Sequence, residues 1–191
     1  MTVDSFSTLF AMLAILCWIG VVVIVVLAIA TRNGGGGTLA QLRADLGRFA
    51  LPLAWLVALV TIVGSLYYSK VQGYVPCELC WYQRIVLYPW SVMLAIAAWR
   101  RDSSIRIYAI PVLCIGVVIS IYHSAIQWWP PSSGTSFCSA VAPCTLKYVD
   151  KFGFVTLPFM ALSAAAAMIA LLSISRYDEA EVLVEEVEVR S

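Results

Sequence analysis

Long apolar stretches alternate with short polar ones along this chain, and the lengths of the apolar stretches point to its architecture. Phe6–Ala30 carries no charge and exceeds the roughly 20 residues that a helix needs to cross the hydrocarbon layer. Phe49–Tyr68, Trp81–Trp99, Ile107–Trp128 and Val155–Ile174 repeat the pattern, which predicts five membrane-spanning helices. Asp4 is the only charge before the first run, where a cleaved leader would have a basic start, so that run reads as a retained span. Gly34 to Gly37 form a flexible link, and Leu39, Leu42 and Leu46 beside Arg43 and Arg48 predict a short interfacial helix after it. Pro52 falls in the first turn of the second span, and Pro89 near the middle of the third predicts a kink. Leu146–Phe152, where apolar and charged residues alternate, predicts another short helix lying on the membrane.

Composition sharpens this to an integral membrane protein: 62% of the residues are hydrophobic, 12% are charged, and the mean hydropathy is +0.90. The net charge of +1 says nothing about nucleic acid, and no basic patch interleaved with aromatics suggests it. What matters is where the charges fall. With five spans, Arg32, Arg43, Arg48, Arg100, Arg101, Arg106, Arg176 and Arg190 share one side, and Lys70, Lys147 and Lys151 share the other. The positive-inside rule then puts the arginines in the cytoplasm, the N-terminus outside and the C-terminus inside. The tail after Arg176 holds Asp178, Glu179, Glu181, Glu185, Glu186 and Glu188 and reads as a solvated end.

Of six cysteines, Cys17 and Cys114 lie within apolar runs and read as small hydrophobes. The other four form two pairs, one in each of the two outward loops, where disulfides form and persist. Cys77 and Cys80 are spaced so that a turn or a first helical turn brings their Cα atoms to the roughly 5–6 Å of a disulfide. Cys80 would lie in the first turn of a helix, whose dipole favours a thiolate, and Arg84 one turn on adds a positive charge. Cys138 and Cys144 would close a small ring held by Pro143, either a clip that shapes the loop or a bond open to an attacking thiolate. Beside Cys77 and Cys80, an exchange relay is the favoured reading.

A relay needs an acceptor, and the nearest apolar carrier of two electrons is a membrane quinone. Arg84 can hydrogen-bond a quinone oxygen or snorkel to lipid headgroups. His123, the only histidine, stands near the outward end of the fourth span, where it can shuttle protons or sit as a satisfied interfacial imidazole. Glu78 and Gln83 are weaker candidates.

Cys77-Glu78-Leu79-Cys80-Trp81-Tyr82-Gln83-Arg84, His123 with Gln127, the pair Cys138 and Cys144, and Phe152-Gly153-Phe154-Val155-Thr156-Leu157-Pro158-Phe159 together resemble the DsbB family of disulfide bond formation proteins, particularly its BdbC-like branch. The resemblance covers about residues 50 to 175. It implies an all-α membrane protein, a four-helix transmembrane bundle that holds a quinone and reoxidises a soluble thioredoxin-like partner. By that resemblance Cys80 is the quinone-proximal thiolate and Cys77 its partner. Cys138 forms the mixed disulfide with the soluble protein, and Cys144 passes electrons to Cys77. Arg84 matches the quinone-site arginine, and His123 a histidine near the quinone.

The first helix and its glycine link precede the four-helix pattern. The expectation is therefore an extra N-terminal helix and link over residues 1–48, a catalytic bundle over 49–175 and an acidic cytoplasmic tail over 176–191. The activity expected is that of a thiol:quinone oxidoreductase in a bacterial cytoplasmic membrane, with ubiquinone or menaquinone as cofactor, a DsbA-like oxidase as partner, lipid around it and no metal. The alternatives are a vitamin K epoxide reductase-like enzyme, whose CxxC lies nearer the end of the chain, and a structural protein binding zinc through four thiolates.

Overall fold

In lipid every backbone N–H and C=O must be paired within the protein, so each apolar run closes its hydrogen bonds on itself as a helix. The computed structural model describes residues 3–32, 37–130, 138 and 142–175. Among them are α1 (Val3–Arg32), α2 (Thr38–Leu66), α3 (Glu78–Leu87), α4 (Pro89–Arg100), α5 (Arg106–Trp128) and α6 (Leu157–Ile174). Helices α1, α2 with its π-helical extension Tyr67–Val71, α5 with its leading turn Ser103–Ile105, and α6 are each long and apolar enough to cross a membrane. The third expected span is divided between α3 and α4. Pro89 has no N–H to continue the ladder, and it opens α4 as its first residue, which is the kink expected there.

Two local expectations are corrected. The segment Leu39–Leu46 is no separate interfacial helix but the first part of α2, which runs unbroken through Pro52. Nothing between Leu46 and Phe49 breaks the helix, and Pro52 lies in its interior rather than its first turn. The segment Leu146–Phe152 is not helical either. Asp150–Lys151 (β1) pairs antiparallel with Val155–Thr156 (β2), Asp150 opposite Thr156 and Lys151 opposite Val155. Each strand is two residues long, and the cross-strand pairing rather than any local period defines it. Phe152 and Gly153, both at positive φ, turn the chain between the strands. The glycines 34 to 36, the turn-rich stretch 131–134 and the acidic tail lie outside the described residues.

Helix α6 is the centre of the bundle and packs against α1, α2 and α5. Half of its most apolar stretch is buried, against 6% for α1. The core joins Leu51, Ala54 and Ala58 of α2 to Leu94 of α4, Leu113 of α5 and Met168 of α6. Alanines recur at these contacts, and small side chains let backbones approach closely where lipid supplies no hydrophobic drive of its own. At Gly116 of α5, an added Cβ would lie 3.0 Å from Val86 of α3, so the close approach of these two helices uses the missing side chain. The outward faces are apolar too, with Trp99, Ile107, Tyr108 and Val118 exposed to the lipid region.

Candidate redox active site

The first cysteine pair is shaped by the way α3 begins. The π-helical turn Tyr67–Val71 ends α2, residues 73–77 are irregular, and Cys77, in extended conformation with φ −74° and ψ 171°, becomes the N-cap of α3. Its sulfur accepts the Cys80 N–H at 3.4 Å, satisfying one of the free amides of the helix start. Cys80 thereby lies in the first turn, where the sequence put it. The two sulfurs are 2.8 Å apart as free thiols, and His123 Nε2 of α5 is 3.7 Å from Cys77 Sγ. Cys77 is at the loop end of the bundle, before the span. The hydrogen bond from Cys80, aided by that from His123, holds its thiol down to about 4 against the burial that raises it. One proton shared between two sulfurs leaves the pair with one negative charge at neutral pH.

The second pair is closed as a disulfide between Cys138 and Cys144, with Cα atoms 5.8 Å apart. Cys138 is half-buried and Cys144 is covered. Cys77, Leu79, Ile126, Ala142 and Cys144 form one buried cluster, and Cys80, Ile119 and Cys138 pack against it. All four loop cysteines are thus brought together. Three contacts tie the second loop to the bundle: Tyr148 OH donates to Val75 O at 3.1 Å, the Tyr74 and Tyr148 rings stack at 4.7 Å, and Gln127 Nε2 donates to Leu146 O at 3.2 Å.

Four thiolates around zinc do not fit this geometry, because two of the sulfurs are joined to each other. Cys77, Cys80 and His123 do gather their donor atoms within 4.8 Å. Their two sulfurs stand 2.8 Å apart.

Behind Cys80 lies a cavity of about 310 Å³ between α1, α2, α3 and α6, with Cys80, Gln83 and Arg84 in its wall. The Arg84 guanidinium turns into the bundle, its Nε donating to Ser65 Oγ at 3.1 Å and its Nη2 to Ser65 O at 3.2 Å. It also lies over the rings of Trp81 and Tyr88, at 5.5 and 6.0 Å. His123 stands on Cys77 and is not among the residues that line the cavity. Glu78 is exposed, whereas Gln83 is buried and donates to Ser120 Oγ at 2.9 Å.

Ser65, Ser120, Ser124 and Tyr148 went unnoticed in the sequence. Ser120, His123, Ser124 and Gln127 are all buried and follow one another at helical spacing, so they make a polar stripe along α5. That stripe was legible in the sequence. His123 Nδ1, Ser124 Oγ and Gln127 Oε1 have no hydrogen-bond partner among the described residues. Ser65 and Tyr148 gave no such signal, since their partners are distant in sequence.

Residues 47–175 match the family model for the disulfide bond formation protein DsbB. The chain belongs to the DsbB family. It is 41% identical over 128 residues to the disulfide bond formation protein C of Bacillus subtilis (strain 168), covering 67% of this chain and 93% of that protein. It is 44% identical over 114 residues to a probable disulfide formation protein C of Bacillus cereus (strain ATCC 14579), covering 60% of this chain and 82% of that one. A probable disulfide formation protein of Coxiella burnetii (strain CbuK_Q154) is 38% identical over 133 residues, 69% of this chain and 90% of that protein. No solved structure matches the chain. As a DsbB-family member it is a multi-pass membrane oxidoreductase of disulfide bond formation, and the family match leaves α1 outside it.

Proposed function

We propose that this DsbB-family protein is a thiol:quinone oxidoreductase that reoxidises a thioredoxin-like, DsbA-like dithiol oxidase and passes the electrons to ubiquinone or menaquinone. It works in a bacterial cytoplasmic membrane with both cysteine loops on the outer side, as the arginine distribution suggests. Residues 49–175 are the catalytic bundle, 1–48 an added helix and link, and 176–191 a cytoplasmic tail. The observation that carries this reading is the meeting of four cysteines in one cluster, with Cys80 also on the wall of an apolar cavity.

The partner's thiolate attacks Cys138, the more exposed sulfur of its pair, and Cys144 leaves as a thiolate. Cys144, buried in the cluster with Cys77, attacks Cys77 of the oxidised inner pair and releases Cys80. The partner's second thiolate resolves the mixed disulfide at Cys138. Cys138 then recaptures Cys144 and frees Cys77. The partner has lost two electrons and two protons, and the inner pair has gained them.

The cavity suits a quinone: its walls are mainly apolar, with a thiol, an amide and a guanidinium gathered on the α3 side. A bound quinone supplies a two-electron, two-proton acceptor, and the inner pair returns to its disulfide. The start of α3 and Arg84 lie beside Cys80 and offset part of the cost of any negative charge that reaches it. His123, in contact with Cys77, supports the negative charge on that sulfur.

The test is quinone reduction followed by absorbance, with purified protein, added quinone and a reduced thioredoxin-like oxidase. Cys80→Ser and Cys138→Ser are each expected to abolish turnover. Turnover that survives Cys138→Ser would make the outer disulfide a structural clip and sink the two-pair relay.

A further inference from the structure

Helix α1 lies outside the family match, which begins at residue 47, yet it is built into the cavity. Phe10, Leu13, Ala14, Leu16 and Cys17 line the same space as Cys80 and Arg84. Their positions are fixed by contacts along the helix. Asp4 pairs with Lys151 of β1, Tyr68 OH donates to Ser7 Oγ at 3.3 Å, and the Phe6 ring stacks on Tyr67 at 4.4 Å. Trp18 lies against Phe159 of α6 at 6.4 Å, and at the far end Arg43 Nη1 donates to Thr31 Oγ1 at 3.1 Å. The Phe10 ring comes so near α2 that a Cβ on Gly64 would lie 2.8 Å from it. The opposite face of α1, with Met12, Ile19, Val22 and Val26, is exposed.

We propose that α1 is a fixed wall of the quinone site, and that Ala14 and Cys17 are positioning residues that set which quinone fits and how long it stays. This rests on the quinone reading above. Without α1, the side of the cavity between α2 and α6 would be left to lipid, and a ring bound there would meet mobile acyl chains. With α1 in place it meets side chains held at defined positions, and exchange on that side requires the helix to yield. Ala14 and Cys17 stand three residues apart on one helix face. They are the small members of this wall, so enlarging either takes volume from the cavity.

The test uses the full chain, purified in detergent, with Ala14→Phe, Cys17→Phe and the milder Ala14→Val. Val22→Phe on the exposed face is the control. Two quantities are read: the quinone that stays bound to the purified protein, and the separate kcat and KM for short-tailed ubiquinone and menaquinone analogues. The Phe variants should raise KM about tenfold or more, which is the scale of pocket-size discrimination, with kcat little changed and less bound quinone. Ala14→Val should shift both in the same direction by less, and Val22→Phe should behave as the parent. Mixed-disulfide formation with the reduced partner should not change in any of them. Wall variants that keep the parent's KM and bound quinone, in a parent that does reduce quinone, would overturn the assignment of α1. Ala14→Val decides the matter if the Phe variants do not fold. A parent that reduces neither quinone would sink the quinone reading itself.

Discussion

Cys77 and Cys80 are three residues apart at the start of a helix, with their sulfurs against a buried histidine and an apolar cavity. Cys138 and Cys144 are six apart in a loop, one sulfur half-buried and the other covered, held to the bundle by two tyrosines and a glutamine. The same bond thus has two different supports. The inner pair takes its geometry from the N-cap of α3, so it can open and close without moving the helix. The outer pair takes its geometry from side-chain contacts to residues distant in sequence. A relay between a protein in water and a carrier in lipid needs that difference, because each end must admit one reactant and exclude the other.

Breaking the link between the pairs gives the largest effect. Cys77→Ser leaves the outer disulfide intact but removes the sulfur that Cys144 attacks in the relay proposed above. Turnover should fall to background while the mixed disulfide between Cys138 and the partner still forms, as read on a non-reducing gel. Rapid turnover in that variant would mean that the outer pair reaches its acceptor by another route.

His123→Phe sharpens the comparison from the inner side. The Cys77 thiol is held down to about 4, so the stability it contributes to the reduced protein is full above the ordinary thiol value of roughly 8.5. That stability is lost as pH falls toward 4. Removing the imidazole should move the lower limit upward, and alkylation of Cys77 followed against pH should show its midpoint rising. A midpoint that does not move would leave the hydrogen bond from Cys80 as the whole cause.

Smaller effects are expected on the outer side. Gln127→Leu leaves the Leu146 carbonyl without its donor, at a cost of about 1 kcal/mol, and should slow exchange between the pairs about fivefold. Tyr148→Phe loses an exposed hydrogen bond to Val75 but keeps the stack on Tyr74, so the expected slowing is about twofold or less. Stopped-flow exchange from the outer to the inner pair measures both, and a larger effect for Tyr148→Phe than for Gln127→Leu would reverse the ranking.

Much of the bundle was legible along the chain. Expected spans at residues 6–30 and 107–128 became helices at 3–32 and 106–128, because the length of an apolar run is a local property. Pro89 marked the break between α3 and α4 for the same kind of reason. The hairpin at residues 150–156 was not legible because strands of two residues carry no period of their own and exist only through their pairing.

The sequence by itself determined the spans, the kink, the place of Cys80 in the first turn of a helix and the pairing of cysteines by loop. Only the tertiary structure decided which helix faces meet. It seated Cys144 beside Cys77, Arg84 on Ser65, His123 on Cys77 rather than in the cavity, and α1 across the space behind Cys80. The reason lies in the solvent. A helix in water announces its buried face by an apolar stripe, whereas a helix in lipid is apolar all round, and its packed face is chosen by small residues, close fits and a few buried polar contacts with partners far away in sequence.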